Sequence, residues 1–386
     1  MTIPAQSIVV VDKDTPLLGD ISIQGTLIFD DSADITLSAT SITVDIGGTL
    51  AVGNSLRPHM NTATIILSDT QNSNGTVIHS DKSLVVHSGG ALQLFGASRT
   101  PAWTVLQKTA YANSTLLVMN EATNWQPGDN IVISSTSQNM SQTERVTILF
   151  VAGNVINITT PLQFTHNGEL VFVNGTVIDM RARVSVLSRN IVIRGDDNSN
   201  DWQYGASIYL HTGATAIMHD VEVYYAGQMG AVNRPALLFR AGNSSSLVES
   251  CAIHDTYHRG IVLQGTSNLT IHHTTVAFTM GHAFVLQYGT EAGNTFSNNL
   301  AISVNASSFI EASDVTPAGF YISNPANEFV GNSVAGSLSF GFWYRLAPIT
   351  SQVSAQLLCA SVCFKFLDSL LCLYVMIEYC IGTIQR

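Results

Sequence analysis

The sequence predicts an all-β protein whose second half is a parallel β-helix. Short apolar runs alternate with Gly, Asn, Ser and Thr from Pro235 to Val334, and no helical spacing interrupts them. Glycine recurs at Gly242, Gly265 and Gly289, so its spacing is about two dozen positions. Repeats of this length are typical of a solenoid with one coil per repeat. Equivalent side chains of successive coils should then lie about 4.8 Å apart on an outer face.

Strand-like segments divide the chain into four parts. Residues 1–105 read as short strands ended by Gly, Asn, Asp and Pro, and residues 106–180 as a β-rich bridge. The repeat occupies residues 181–347, and an apolar tail rich in cysteine occupies 348–386. The predicted strands of the first part are 21–23, 27–29, 42–44, 64–67, 84–86 and 92–94.

Composition excludes some classes of function. Only 11% of the 386 residues are charged and 46% are hydrophobic, whereas soluble domains carry roughly 25% charged residues. The net charge of −11 argues against nucleic-acid binding, which needs a basic surface. It also disfavours a polyanionic glycan unless the surface holds a local basic strip.

Glycosylation signals are spread along the chain. The eight Asn-x-Ser/Thr sequons lie at Asn74, Asn113, Asn139, Asn157, Asn174, Asn243, Asn268 and Asn305. Their distribution favours a secreted or cell-surface protein. The chain opens directly into a strand-like segment without a signal-peptide pattern, so we expect its true beginning to be missing.

Cysteine usage separates the tail from the rest. Cys251 is the sole cysteine that precedes the tail, so a disulfide framework is not expected there. Four cysteines crowd into the tail, together with Lys365, Asp368 and Glu378. The tail is a membrane anchor, a cap on the solenoid, or an unrelated or wrongly translated segment. A membrane partner is expected only in the first case, and the charges argue against it.

Two groups of motifs resemble a known family. The first group is Gly25-Thr26-Leu27-Ile28-Phe29, Gly47-Gly48-Thr49-Leu50, Val52-Gly53 and Pro58. The second is Trp125-x-x-Gly128-Asp129-x-Ile131-Val132-Ile133, Arg189-Asn190-Ile191-Val192-Ile193-x-Gly195 and Ser323-Asn324-Pro325. Together they resemble the family in which a G-eight domain continues into a right-handed, pectin-lyase-like parallel β-helix. That family includes fibrocystin-L and the cell-surface hyaluronidase and hyaluronan-binding proteins.

Departures from the enzyme-like members bear on function. The resemblance implies two histidines on the strand after Pro235, but Leu237 and Phe239 stand there. It implies an acidic pair in a later coil, where this chain has Gln287 and Tyr288. The chain therefore leans towards the non-enzymatic, fibrocystin-L type.

One group of side chains could perform acid/base chemistry. His258 and His282 are separated by the same interval as Gly265 and Gly289, so a solenoid should stack them on adjacent coils. With Asp255 and Glu291 they supply a general base and two carboxylates, the groups that glycan cleavage needs. The alternative is a structural polar ladder inside the turns.

Other polar groups suggest binding. Arg181 and Arg183 could present a guanidinium fork to a glycan, or could instead pair with local acids such as Asp179. Arg259, which follows His258, is a further candidate for ligand binding. No cofactor is expected. The sequence shows no zinc spacing, and Asp196, Asp197 and Asp201 could offer oxygens to calcium or simply form a solvated turn.

Two functions remain open. The first is a non-catalytic extracellular module that contacts a polysaccharide or a protein. The second is a hyaluronidase-like hydrolase or a lyase that acts through the His/carboxylate group.

Overall fold

The computed structural model describes residues 1–71 and 76–346. Their dominant feature is three parallel sheets, to which each coil adds one strand, so the predicted parallel β-helix is confirmed. The strands can enclose a continuous core because inward and outward side chains alternate along each short strand, and the inward ones are apolar. The predicted tail, residues 348–386, and the sequon at Asn74 lie outside the described residues.

Ten strands form the first sheet. In stacking order they are β1 (Thr2–Ile3), β3 (Ile21–Ile23), β6 (Ile42–Val44), β11 (Ser83–Val86), β22 (Ser207–Leu210), β25 (Leu237–Asn243), β28 (Ile261–Ser267), β31 (Phe284–Leu286), β34 (Ala318–Ile322) and β37 (Phe340–Tyr344).

Nine strands form the second sheet. They are β2 (Ile8–Val11), β4 (Thr26–Phe29), β7 (Thr49–Val52), β12 (Ala91–Phe95), β23 (Thr215–His219), β26 (Leu247–Glu249), β29 (Thr270–His272), β32 (Thr295–Ser297) and β35 (Glu328–Val330).

Eight strands form the third sheet. They are β5 (Ile35–Ala39), β8 (Ala63–Leu67), β21 (Ile191–Gly195), β24 (Val221–Ala226), β27 (Ala252–Thr256), β30 (Thr275–Met280), β33 (Leu300–Asn305) and β36 (Ser333–Ser337).

An antiparallel sheet of six strands interrupts the solenoid between β12 and β21. It contains β13 (Trp103–Val105), β14 (Leu116–Val118), β15 (Asn130–Ile133), β16 (Glu144–Ala152), β17 (Val155–Ile158) and β20 (Arg183–Val186). Two small hairpins are β9 (Thr70–Gln71) with β10 (Val77–Ile78), and β18 (Val171–Val173) with β19 (Thr176–Ile178). The short helices are α1 (Ser199–Trp202) and two 3₁₀ turns, Met140–Gln142 and Ala312–Val315.

The solenoid continues across this insertion. Leu84 pairs with Ile42 on one side and with Ile208 on the other. The same three sheets therefore contain strands from residues 1–105 and from residues 181–347, although the sequence motifs separate these two parts. The segment predicted as a β-rich bridge lies within the insertion.

The insertion covers the outer face of the third sheet. Its Val132 and Leu187 pack with Ala252, Ala277 and Leu300 of the solenoid in one buried cluster. The indole Nε1 of its Trp103 donates to the Asn298 carbonyl oxygen at 2.6 Å. The insertion therefore buries the outer face of β27, β30 and β33 of the third sheet.

Stacked apolar side chains fill the interior. The rings of Phe284, Phe320 and Phe342 lie level on successive coils, with centroid separations of 4.6 and 4.8 Å. Burying a side chain of this size contributes about 1.5–3 kcal/mol. The stack therefore supplies both stability and the register of the strands around it.

The glycine spacing does not give the exact register. Gly242 pairs with Thr266 and not with Gly265, because Leu237 is level with Ile261. The next coil is shorter by a single position, since Ile261 is level with Phe284. His258 and His282 therefore lie on adjacent coils but one position out of register, which corrects their expected stacking.

No helix among the described residues is long and apolar enough to cross a membrane.

Candidate functional site

The outer face of the first sheet carries a column of level side chains. Its members are Val85, Tyr209, Leu238, Val262, Val285 and Tyr321, each paired in register with the next. Leu238, Val262 and Val285 are at most 2% exposed although they point away from the core, because loops cover them. We call this set the outer column.

A row of polar side chains runs beside the outer column. On each of seven successive coils, the strand of the first sheet has an inward-pointing apolar residue near its end. The residue directly after it is polar and points outward. We call the set Gln24, Asp45, His87, His211, Arg240, Gln264 and Gln287 the polar row. At about 4.8 Å per coil the row is roughly 29 Å long.

A small cleft of about 90 Å³ lies at the C-terminal end of this face. It sits between the loop containing Asn233 and the loop that carries Phe309 and Glu311. Gln264 and Gln287 of the polar row line it, together with His258 and Arg259.

Arg259 is bound by acidic partners at the base of this cleft. Its Nη2 lies 2.7 Å from Asp314 Oδ2 and 3.0 Å from Glu311 Oε2, and its Nη1 donates to Gln287 Oε1. Burial alone would raise the pKa of Asp314, but the hydrogen bonds from Arg259 and the charge of nearby groups hold it below the usual value. This guanidinium, predicted as a ligand-binding group, is already neutralised by the protein.

Both candidate catalytic histidines are kept neutral by burial. Burial and the adjacent Arg259 lower the pKa of His258 to about 4, and burial lowers the pKa of His282 to about 3. Each Nδ1 accepts a backbone hydrogen bond, from Arg259 N at 2.8 Å and from Ala318 N at 2.9 Å. These imidazoles organise turns of the coil.

The predicted catalytic carboxylates do not join these histidines. Asp255 lies on the third sheet, where it binds Arg145 of the insertion at 2.7 Å and His254 at 2.7 Å. Glu291 is fully buried and accepts from the backbone N–H groups of Gly265, Tyr288 and Gly289 at 2.7 to 3.0 Å. The predicted four-residue catalytic set is therefore not assembled, because the two carboxylates serve different turns of the solenoid.

Arg181 and Arg183 do not present a free fork. Arg181 makes a bidentate pair with Asp179 at 2.9 and 2.7 Å. Arg183 donates to the Arg181 carbonyl oxygen at 2.6 Å and to Ser333 Oγ at 3.2 Å. Of the two interpretations left open by the sequence, the local pairing with Asp179 is the one observed.

The three candidate calcium ligands are dispersed among other partners. Asp196 binds the buried ammonium of Lys82 at 2.7 Å, and Asp197 binds Arg194 at 2.7 Å. Asp201 lies in the first turn of α1. Within residues 1–71 and 76–346 no cluster of three or more His, Cys, Asp or Glu side chains could hold a metal ion.

Most described sequons are accessible. Asn113, Asn139, Asn174, Asn243 and Asn268 are exposed, whereas Asn157 and Asn305 are half-buried.

Comparison with known proteins supports the family resemblance. Residues 1–107 match the G8 domain and residues 203–363 match the CEMIP beta-helix. The chain thus carries a G8 domain followed by a CEMIP-type β-helix. The β-helix match extends to residue 363, so it includes the first part of the segment that the sequence separated as a tail.

Fibrocystin-L is among the relatives of this G8/β-helix chain. The human protein is 36% identical over 88% of the chain, and the mouse protein is also 36% identical over 88%. Protein rliB of Dictyostelium discoideum is 26% identical over 92% of the chain. The chain spans 9% of each fibrocystin-L and 34% of rliB.

Among solved structures, the Gp54 tailspike of Acinetobacter baumannii bacteriophage AP22, in complex with a capsular saccharide, is 11% identical with a TM-score of 0.22. The match covers 83% of this chain and 52% of the tailspike chain. A similarity of this size bears on neither function nor ligand.

Two of the four positions that differ from the enzyme-like members of the family face inward in this G8/β-helix chain. Leu237 and Phe239 are 0% and 2% exposed and belong to the solenoid core. The outward residues of the same strand are Leu238 and Arg240, because side chains alternate along a strand. Gln287 binds Arg259 and Glu311, and Tyr288 is 52% exposed.

The residues predicted from the sequence did not include Asp45, His87, His211 and Arg240 of the polar row, or Asp314. A usable signal was present, since each residue of the row directly follows an apolar strand residue, as in Val86-His87 and Leu210-His211. Asp314 carried no such signal because it lies in a 3₁₀ turn, far along the chain from Arg259.

Proposed function

We propose that the chain is a non-catalytic module of the fibrocystin-L type, secreted or at the cell surface, which holds a carbohydrate ligand along the outer face of the first sheet. The main support for this proposal is that the acid/base groups near the cleft already bind other groups of the protein and are not free to act on a substrate. Arg259, Asp314, His258 and His282 are all committed to contacts within the protein.

Glycoside hydrolysis needs two carboxyl groups about 5 to 9.5 Å apart, one of them able to donate a proton. Glu311 is the one carboxylate among the described residues that line the cleft. Its neighbour Asp314 is fully buried and has a lowered pKa, so it is a poor proton donor at neutral pH. The cleft is therefore better suited to recognition than to bond cleavage.

The same face offers groups that recognise sugars. Amide, imidazole and guanidinium groups of the polar row can exchange hydrogen bonds with hydroxyl groups. Tyr321 of the outer column and the exposed Tyr288 add aromatic surface. The regular spacing of the polar row favours an extended ligand that crosses several coils. A protein ligand that lies along the same face is the competing outcome.

A position outside the cell is supported by the accessible sequons. Five of the described sequon asparagines are exposed, as a residue that carries a glycan must be.

The test combines binding with product analysis. The purified chain is incubated with a panel of neutral and acidic polysaccharides at pH 5 and pH 7, and both retention on immobilised glycan and polymer length are measured. We expect retention of at least one glycan class and no shortening of any polymer. Depolymerisation that a Glu311→Gln variant abolishes would show instead that the cleft is an active site. Retention of none of the glycans would overturn the carbohydrate assignment.

A further inference from the structure

The centre of the polar row contains three cationic or cationisable groups on three successive coils. Val86 is level with Leu210, and Leu210 with Phe239, so the residues that follow them, His87, His211 and Arg240, are level as well. The rings of His87 and His211 stack with a centroid separation of 4.9 Å.

Tyr209 connects the imidazole pair to the arginine. Its ring lies 4.7 Å from that of His211, and its hydroxyl accepts from Arg240 Nη1. Arg240 itself is exposed, and His87 and His211 are each partly exposed. A concavity of about 560 Å³ lies beside the two imidazoles, bounded by Asp45, Ile46, Ser88 and Thr212.

We infer that His87, His211 and Arg240 form an anion-binding site for the carboxylate or sulfate group of an acidic sugar. This inference rests on the proposed function and specifies the ligand that the outer face takes.

The availability of Arg240 distinguishes it from the three arginines that the sequence predicted to bind a ligand. Arg181, Arg183 and Arg259 each lie within 4.0 Å of a carboxylate oxygen of Asp179, Glu311 or Asp314. Arg240 forms no ion pair with any residue of the described segments, and its guanidinium reaches the Tyr209 hydroxyl instead. A guanidinium that the protein does not neutralise can bind an external anion with charge-assisted hydrogen bonds.

The charged and titratable groups that face the site set its pH dependence. They are Asp45 beside His87 in the row, Tyr209 below Arg240, and Tyr288 near Arg240. Partial burial, His87 and Arg240 together lower the pKa of His211 below its ordinary value of 6.5. His211 is therefore largely neutral at pH 7.5, and it gains its proton, which adds positive charge beside Arg240, only at a pH below the ordinary imidazole range.

Asp45 provides a second way to test the assignment. It is next to His87 in the row, and its Oδ2 accepts from Ser22 Oγ at 2.6 Å. Its negative charge opposes an anion at the adjacent concavity. Replacing it by asparagine keeps an oxygen acceptor for Ser22 and removes the charge.

The experiment measures the affinity of fluorescently labelled hexasaccharides by anisotropy at pH 5.5 and 7.5. The probes are an unsulfated uronic-acid glycosaminoglycan, its sulfated counterpart and neutral chitohexaose. The unsubstituted chain is compared with Arg240→Gln, His211→Gln and Asp45→Asn. Arg57→Gln serves as a control, because Arg57 is an exposed cation that forms no ion pair with a described residue.

We expect the acidic probes to bind about tenfold more weakly to Arg240→Gln at both pH values, the loss typical of one charge-assisted hydrogen bond. His211→Gln should weaken binding at pH 5.5 and change it little at pH 7.5. Asp45→Asn should strengthen binding, and Arg57→Gln should leave it unchanged. The stronger of the two acidic probes identifies carboxylate or sulfate as the preferred group.

Binding of acidic probes that is independent of pH and of all three substitutions would overturn the inference. Equal binding of chitohexaose and the acidic probes would also overturn it, while leaving the proposed function in place. Failure of every probe to bind would contradict both. Circular dichroism of each variant establishes that a loss of binding is not a loss of fold.

Discussion

Arg259 and Asp314 form a buried ion pair across the turns of two coils, with Arg259 Nη2 2.7 Å from Asp314 Oδ2. Their side chains are 3% and 0% exposed. Asp314 also accepts from the backbone N–H of His282 at 3.1 Å and caps its own 3₁₀ turn at Glu311. This pair fixes the loop that covers the C-terminal end of the outer column.

Asp314→Asn should destabilise the protein strongly. Removing one partner leaves the guanidinium of Arg259 buried with only the exposed carboxylate of Glu311, and breaking a buried pair in this way costs about 3–5 kcal/mol. The free energy of unfolding from urea denaturation measures the effect. Glu311→Gln is the matched control, because its carboxylate is 51% exposed and such a pair contributes about 0–1 kcal/mol. Equal losses in the two variants would contradict the buried pair.

His258 should make the protein sensitive to acid. Its pKa falls from 6.5 when unfolded to about 4 when folded, so the unfolded chain binds more protons between these values. The contribution of this pKa difference to the free energy of unfolding is fully present above pH 6.5 and is lost as the pH falls towards 4. At about 1.4 kcal/mol per pKa unit, its size is about 3 kcal/mol.

His258→Asn isolates this contribution, because an amide oxygen can replace Nδ1 as the acceptor for Arg259 N. Urea denaturation at pH 7.5 and pH 4.5 should show a smaller loss of stability in the variant than in the unsubstituted chain. Identical losses would mean that His258 is not the group being protonated.

Much of the architecture could be predicted because it depends on local patterns. Apolar runs such as Ile261–Leu263 alternate with turn residues, and that period is a property of neighbouring residues. The register could not be predicted to the residue, since Gly242 is level with Thr266 rather than Gly265. An extra residue in a turn shifts the position of a glycine in the repeat but leaves the strand in place. The strand is held by inward apolar side chains such as Leu237.

The candidate site was harder to predict because its members come from distant parts of the sequence. His87 and His211 are level on adjacent coils although the whole insertion separates their strands in the sequence. Arg259 was predicted to bind a ligand because nothing in the sequence pointed to its true partner, Asp314, which lies in a distant loop. Charge pairing of this kind depends on which loops fold over which coils, and the repeat pattern carries no information about it.

Glycan occupancy should follow exposure. Expression in mammalian cells from a secretory vector, followed by glycopeptide mass spectrometry, should find glycans at Asn139 and Asn174, which are exposed. Asn157 should be unmodified, because it is half-buried and its Oδ1 is enclosed by the protein. Asn139→Gln should therefore reduce the mass by one glycan and Asn157→Gln should not. A glycan found at Asn157 would contradict the packing of β17.

The asparagine ladder in the turns before the third sheet should contribute measurably to stability. Asn299 is fully buried, its Oδ1 accepts from Thr274 N at 2.9 Å, and its Nδ2 donates to the Ile271 carbonyl oxygen at 2.9 Å. Asn332 repeats the arrangement on the next coil, since its Oδ1 accepts from Asn299 N at 2.9 Å. Asn299→Ala removes these two hydrogen bonds and a third, from Nδ2 to Asn332 Oδ1 at 3.0 Å, which should cost about 2–4 kcal/mol in urea denaturation.

Two further variants show whether hydrogen bonding causes this loss. Asn299→Asp has nearly the same shape and keeps the acceptor for Thr274 N, but it loses the donor to Ile271 and introduces a buried carboxylate, so it should be at least as destabilising at pH 7. Asn305→Ala, at a half-buried position whose amide donates only to the nearby Ser303 carbonyl oxygen, should cost less than about 1 kcal/mol. If Asn299→Asp were as stable as the unsubstituted chain, side-chain shape rather than the amide donor would hold the turn. The ladder would then not explain why asparagine occupies equivalent positions on successive coils.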